Sequence, residues 1–65
     1  MNKSFTIPLA RKVFLPKENN ITKDDLEIIA NGNYLLYEQG DNIIIKNNDC
    51  CRSIQVNVSF KEKLN

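Results

Sequence analysis

The dominant period of apolar and polar residues along this chain is two, the period of a β-strand, and where it is cleanest one face meets a core and the other water. The clearest run is Ser53–Phe60, where Ile54, Val56, Val58 and Phe60 alternate with Ser53, Gln55, Asn57 and Ser59. Near the start, Phe5, Ile7 and Leu9 alternate with Ser4, Thr6 and Pro8. Pro8 has no N–H to give to a ladder, so this strand is expected at a sheet edge, or to end there. Val13–Leu15 reads as its continuation after a bulge, stopped by Pro16.

Residues 17–25 read as a loop with at most one short helical turn near Thr22–Asp25. Thr22 can cap that turn, with Asp25 three residues later in the capping-box position, and the segment is too short for a stable helix. Two hairpins are expected next. Asn31-Gly32 carries the strongest two-residue turn signal, since both positions of such a turn favour positive φ. It should join Leu26–Ala30 to Asn33–Gln39, and Gly40-Asp41 should then lead into Asn42–Lys46. A polar loop, Asn47-Asn48-Asp49, precedes the last strand. The expected fold is all-β: a small antiparallel β-meander of five to six short strands, barrel-like or half-sandwich, with residues 1–65 as one small domain.

Two-residue loops fix which residues face each other. A loop at 31–32 sets Ile29 opposite Tyr34, Ile28 opposite Leu35 and Glu27 opposite Leu36. A loop at 40–41 sets Glu38 opposite Ile43, Tyr37 opposite Ile44 and Leu36 opposite Ile45. Opposed residues point the same way. One face would then carry Leu26, Ile28, Ala30, Leu35, Tyr37 and Ile44. The other would carry Glu27, Ile29, Tyr34, Leu36, Glu38, Ile43 and Ile45. Both faces are apolar, unlike an antiparallel sheet with one wet side. The terminal strands, with Phe5, Ile7, Val13, Ile54, Val56 and Phe60, are expected to cover the first face. That leaves the second, fringed by Glu27 and Glu38, as the candidate surface for a protein partner, because contiguous exposed apolar patches mark interaction sites.

Composition narrows the chemistry. The 65 residues are 42% hydrophobic and 26% charged, which is too apolar for a disordered tail. No apolar run is long enough to span a bilayer. The start shows no cationic segment followed by an apolar stretch, so a cytoplasmic protein is expected. Histidine is absent, which removes the commonest general base and metal ligand. Cys50 and Cys51 are adjacent, and a disulfide between neighbours closes a strained ring, so two reduced thiols are expected. Arg52 beside them could lower one thiol pKa. Neither a metal nor any other cofactor is expected, since zinc needs about four ligands. The acidic group Asp24, Asp25 and Glu27 sits at a turn and a strand start, where capping and solvation account for it. Gly32 and Gly40 both serve turns, and no phosphate-cradling loop is present. No enzyme is expected.

A chain this short buries only about 60% of its unfolded surface and usually needs a staple or a partner. Association, as a homodimer or with another protein, is the expected supplement. The net charge is +1, unevenly laid out. Residues 1–17 carry Lys3, Arg11, Lys12 and Lys17 with no acid, whereas 18–49 carry seven acids against Lys23 and Lys46. Lys3, Arg11, Lys12 and Lys17 are therefore the candidate phosphate contacts if nucleic acid is the partner, although such proteins are normally more basic. Asn, Ile and Lys dominate the composition, which points to an AT-rich bacterial genome or a phage or other mobile element.

Val13-Phe14-Leu15-Pro16-Lys17-Glu18 followed by Ile21-Thr22-Lys23-Asp24-Asp25-Leu26-Glu27-Ile28 resembles the AbrB-type swapped-hairpin family of bacterial regulators and antitoxins. The resemblance spans residues 11–39 and implies an interleaved homodimer with Arg11 and Lys12 near DNA. The chain departs from the pattern where the helix after the proline is nearly deleted and where a glycine usually precedes the first strand. The leading expectation is a non-enzymatic protein acting by protein–protein contact, an inhibitor or modulator of a larger host complex. The alternative is a small DNA-binding homodimeric regulator or antitoxin, and the third a structural or virion subunit.

Overall fold

The computed structural model describes residues 2–17 and 21–61. Its strands are β1 (Asn2–Ile7), β2 (Lys12–Pro16), β3 (Leu26–Ala30), β4 (Tyr34–Gln39), β5 (Asn42–Asn47) and β6 (Ile54–Phe60), with one 3-10 turn at Lys23–Asp25. They form two three-stranded antiparallel sheets, β1-β6-β3 and β2-β5-β4. The protein is thus a small all-β fold, as the alternation predicts. Positions 18–20 of the expected loop, and residues 62–65, lie outside the described residues. No helix among the described residues is long and apolar enough to cross a membrane.

The sheets meet through side chains selected by the period of two. Ile7 of β1, Leu26 of β3 and Ile54, Val56 and Val58 of β6 pack against Ile43 and Ile45 of β5. Phe5, Val13, Leu15, Ile28, Ala30, Tyr34 and Leu36 close around them. The opposite face of β1-β6-β3 is wet: Ser4, Thr6, Gln55, Asn57 and Glu27 are exposed, and the Ser4 hydroxyl donates to Asn57 Oδ1 at 2.7 Å. Phe60, expected to continue the apolar face of its strand, is 42% exposed at the strand end.

Connectivity departs from the expected meander. Only β4–β5 is a hairpin, and it has the expected register, with Glu38 opposite Ile43, Tyr37 opposite Ile44 and Leu36 opposite Ile45. Gly40 takes φ 58° in its turn, as a two-residue hairpin loop requires. The other connections cross between sheets. β2 does not continue β1 past a bulge. Pro8 ends β1, which is an edge strand, and the Arg11 N–H donates to the Pro8 carbonyl at 3.0 Å across a turn. Ala10 holds φ 63° in that turn, a left-handed conformation that costs a side-chain-bearing residue about 1–2 kcal/mol.

The Asn31-Gly32 hairpin does not form. β3 pairs with β6, Ile28 opposite Val58, and β4 pairs with β5 in the other sheet. Asn31 instead anchors a crossover: its N–H donates to the Gln55 carbonyl and its Oδ1 accepts the Gln55 N–H at 2.9 Å. Gly32 is there for close approach, because a Cβ would lie 2.4 Å from Ile54 Cγ2 and 2.8 Å from Asp49 Oδ2.

Asn47 is the buried polar residue that ties the crossings together, at 2% exposure. Its Nδ2 donates to the Ile7 and Arg52 carbonyls, each at 2.9 Å, and its Oδ1 accepts the Asp49 N–H at 2.8 Å. Its own N–H reaches the Arg11 carbonyl. One side chain thereby joins the end of β1, the approach to β6 and the end of β5.

Two sets of substitutions check this account by urea denaturation. Gly32→Ala should destabilise by about 1–3 kcal/mol through overpacking, whereas Ala10→Gly should stabilise by up to about 1 kcal/mol by relieving the left-handed backbone. Asn47→Asp, nearly isosteric, places a carboxylate oxygen against two carbonyls and should cost at least about 2 kcal/mol.

Candidate functional site

The fold divides the seven residues expected on one interaction face. Ile43 and Ile45 are buried between the sheets, at 2% and 0% exposure, with Tyr34 and Leu36 packed on them. That patch is core and offers no surface. Glu27 and Ile29 lie on the outer face of the other sheet, both exposed. The physical cause is the missing β3–β4 hairpin: without that pairing, parity in one strand says nothing about parity in the other.

Glu38 points to the inner side of β4, at the sheet edge, and works as a clamp. Its carboxylate forms an ion pair with Lys17 Nζ, and its Oε2 accepts the Lys23 N–H at 3.0 Å. The Lys17 hydrogen bond, followed by that of the Lys23 N–H, holds the Glu38 carboxyl below its ordinary value. The clamp joins the end of β2 and the start of the 3-10 turn to β4. In the same turn, Asp25 Oδ2 accepts the Thr22 N–H at 2.9 Å, the reciprocal bond expected of a capping box.

The lowered thiol pKa that Arg52 could have produced at one cysteine is not found at Cys51. Both are exposed and free, with Cys51 Sγ donating to Cys50 Sγ at 2.7 Å. Arg52 turns away to the Asn31 carbonyl and to Asp49, whose Oδ2 lies 3.6 Å from Nε. The hydrogen bond with Cys50, then desolvation and the Asp49 charge, push the Cys51 thiol up. Asp49 is itself held below its ordinary value, first by the Asn33 N–H.

A different surface stands out. On the outer face of β2-β5-β4 the register sets three cross-strand rows: Lys12, Lys46 and Leu35; Phe14, Ile44 and Tyr37; Pro16, Asn42 and Gln39. Ile44 at the centre is fully buried, yet it is no member of the inter-sheet cluster. Its neighbours on the same face must therefore cover it. Those neighbours stay open to solvent, Phe14 at 53% and Leu35 at 44% exposure. Lys12 Nζ lies 5.4 Å from the Phe14 ring centroid, a cation–π contact. The nine positions carry two lysines and no carboxylate. Glu38 turns to Lys17 and Asp49 to Asn33 and Arg52, whereas Asp41 stands exposed in the turn at the far end of the face from the lysine row.

Among the four cations singled out from the sequence, Lys12 lies on this face and Arg11 stands exposed at the same end of β2. Lys17 is engaged by Glu38, and Lys3 belongs to the other sheet, opposite Val58. The sequence placed Leu35, Tyr37 and Ile44 on one face but expected the terminal strands to cover it; those strands pack on Ile43 and Ile45 instead, and Phe14 and Lys46 were missed as members of the open face. The signal was present in the unbroken apolar run Val13-Phe14-Leu15, which puts apolar side chains on both sides of a strand. Comparison with family models, with curated proteins and with solved structures finds no match to this chain.

The Glu38 clamp makes a pH prediction. Because its folded pKa is depressed, its stabilisation is present above the ordinary carboxylate value of 4.5 and is lost as pH falls from there through the lowered value. Thermal melts of Glu38→Gln should show a weaker loss of stability across that acidic window than the parent, and lower stability than the parent near neutral pH.

Proposed function

We propose that the protein is a non-enzymatic binding module that acts by contact with an anionic macromolecule across the outer face of β2-β5-β4. The observation that carries this reading is the face itself: half-exposed Phe14 and Leu35 set beside Lys12 and Lys46, with no acid among its nine positions. Phe14 and Leu35 are exposed apolar groups on one face, which favours a partner there, and the lysines among them select its sign. A non-enzymatic role by contact, the leading expectation from the sequence, is widened here from a protein partner to an anionic macromolecule, and its surface moves from Tyr34, Leu36, Ile43 and Ile45 to the reverse of the same sheet. Self-association through this face is disfavoured, because each copy would bring only positive charge to it. The lack of histidine and of any phosphate-cradling loop supports a role without catalysis.

Retention on heparin, a polyanion without aromatic bases, tests the face. The parent protein should be held at low salt and released by salt, as screening requires. Lys12→Glu/Lys46→Glu should pass through, whereas Lys3→Glu/Lys61→Glu, with the same change in net charge off this face, should be held. Equal loss in the two variants would overturn the assignment.

A further inference from the structure

Building on the binding face just proposed, we infer that its ligand is a single-stranded nucleic acid, with bases stacked on Phe14 and Tyr37 and phosphates paired with Lys12 and Lys46. Phe14 and Tyr37 occupy one cross-strand row, on the two outer strands, with Ile44 between them. Strand spacing puts their backbones about 10 Å apart, separate enough for each ring to take its own base. Ile44 lies fully buried beneath this row, so the residues that cover it, and not Ile44 itself, form the surface a base meets. The next row toward the start of β2 holds Lys12 and Lys46 opposite each other, about 7 Å along the strands. Rings and cations thus form adjacent rows, which matches a nucleotide with its base on one side and its phosphate on the other.

Lys12 already rests against the exposed Phe14 ring, so cation and stacking surface are presented together. Every base offers a π-face, and such platforms bind single strands with little sequence preference. A duplex keeps its bases stacked on each other and gives the rings nothing to hold. An acidic protein surface would satisfy the lysines but makes no particular use of two rings spaced across a sheet. Charge also sets the strength: Lys12, Lys46 and Arg11 can neutralise two or three phosphates, a light contact consistent with a net charge of +1.

The test is fluorescence anisotropy with labelled oligo(dT) and oligo(U) of about 12 nucleotides, and a hairpin duplex as comparison. Both single strands should bind, the duplex at least tenfold more weakly, with log Kobs falling at a slope of about −1.4 to −2.1 against log salt. Preference for one of the two strands would assign the ligand as DNA or RNA within the same chemistry. Phe14→Leu, which keeps apolar cover over Ile44, should weaken binding about tenfold. Lys12→Ala/Lys46→Ala should flatten the slope by about 1.4. Amide shift mapping on the unaltered protein should move β2, β5 and β4 and leave β1, β6 and β3 in place, a readout independent of any variant. Equal affinity for duplex and single strand, with no effect of Phe14→Leu, would overturn the stacking claim. Heparin retention that depends on Lys12 and Lys46, together with no oligonucleotide binding, would overturn the nucleic acid and leave the face standing with an acidic protein as its partner. Shifts confined to β1, β6 and β3 would overturn both readings.

Discussion

Three consecutive isoleucines at the middle of β5 constrain everything else in the molecule. Ile43, Ile44 and Ile45 are each 2% exposed or less, and neighbours in a strand point to opposite faces. A strand buried on both sides needs apolar cover front and back. Burial of each side chain contributes roughly 2 kcal/mol, a large share of the stability a domain of this size can have. Ile43 and Ile45 are covered by the second sheet, β1-β6-β3. Ile44 has no third layer, so the rings, Leu35 and the lysine stems of its own sheet cover it.

That solution has a polar side. Sending the chain back and forth between two sheets leaves backbone groups at every crossing without a ladder partner, and they must be satisfied where they are buried. Asn47 does this at one end by joining Ile7, Arg52 and Asp49. Asp49, Arg52 and Asn31 extend the same stitching around Gly32. At the other end the Lys17 N–H meets the Asp41 carbonyl, and Glu38 draws in the Lys17 side chain and the Lys23 N–H. No buried side-chain polar atom among the described residues lacks a partner. The two faces left outside the sandwich differ in kind. One is a mostly polar surface of Ser4, Thr6, Gln55 and Asn57 that also exposes Ile29, and the other is the ring-and-lysine face that covers Ile44. The residues that seal the outer side of β5 are the ones offered to a ligand, so covering a strand and holding a partner are one arrangement.

By itself the sequence determined the β class, most of the strands, the end of β1 at Pro8 and the register of the Gly40-Asp41 hairpin, because period two and turn chemistry are local properties. It also showed that the middle of the chain is apolar on both sides. Which strand lies beside which was decided only in three dimensions. Asn31-Gly32 has the composition of a hairpin, yet β3 goes to β6, where Leu26 and Ile28 join Ile54, Val56 and Val58 on one inner face. Alternation tells which residues of a strand share a side; when both sides are greasy it cannot tell which one is inward. That choice fell to the packing of the sheets, and it turned Tyr34 and Leu36 into core and Phe14 and Tyr37 into surface.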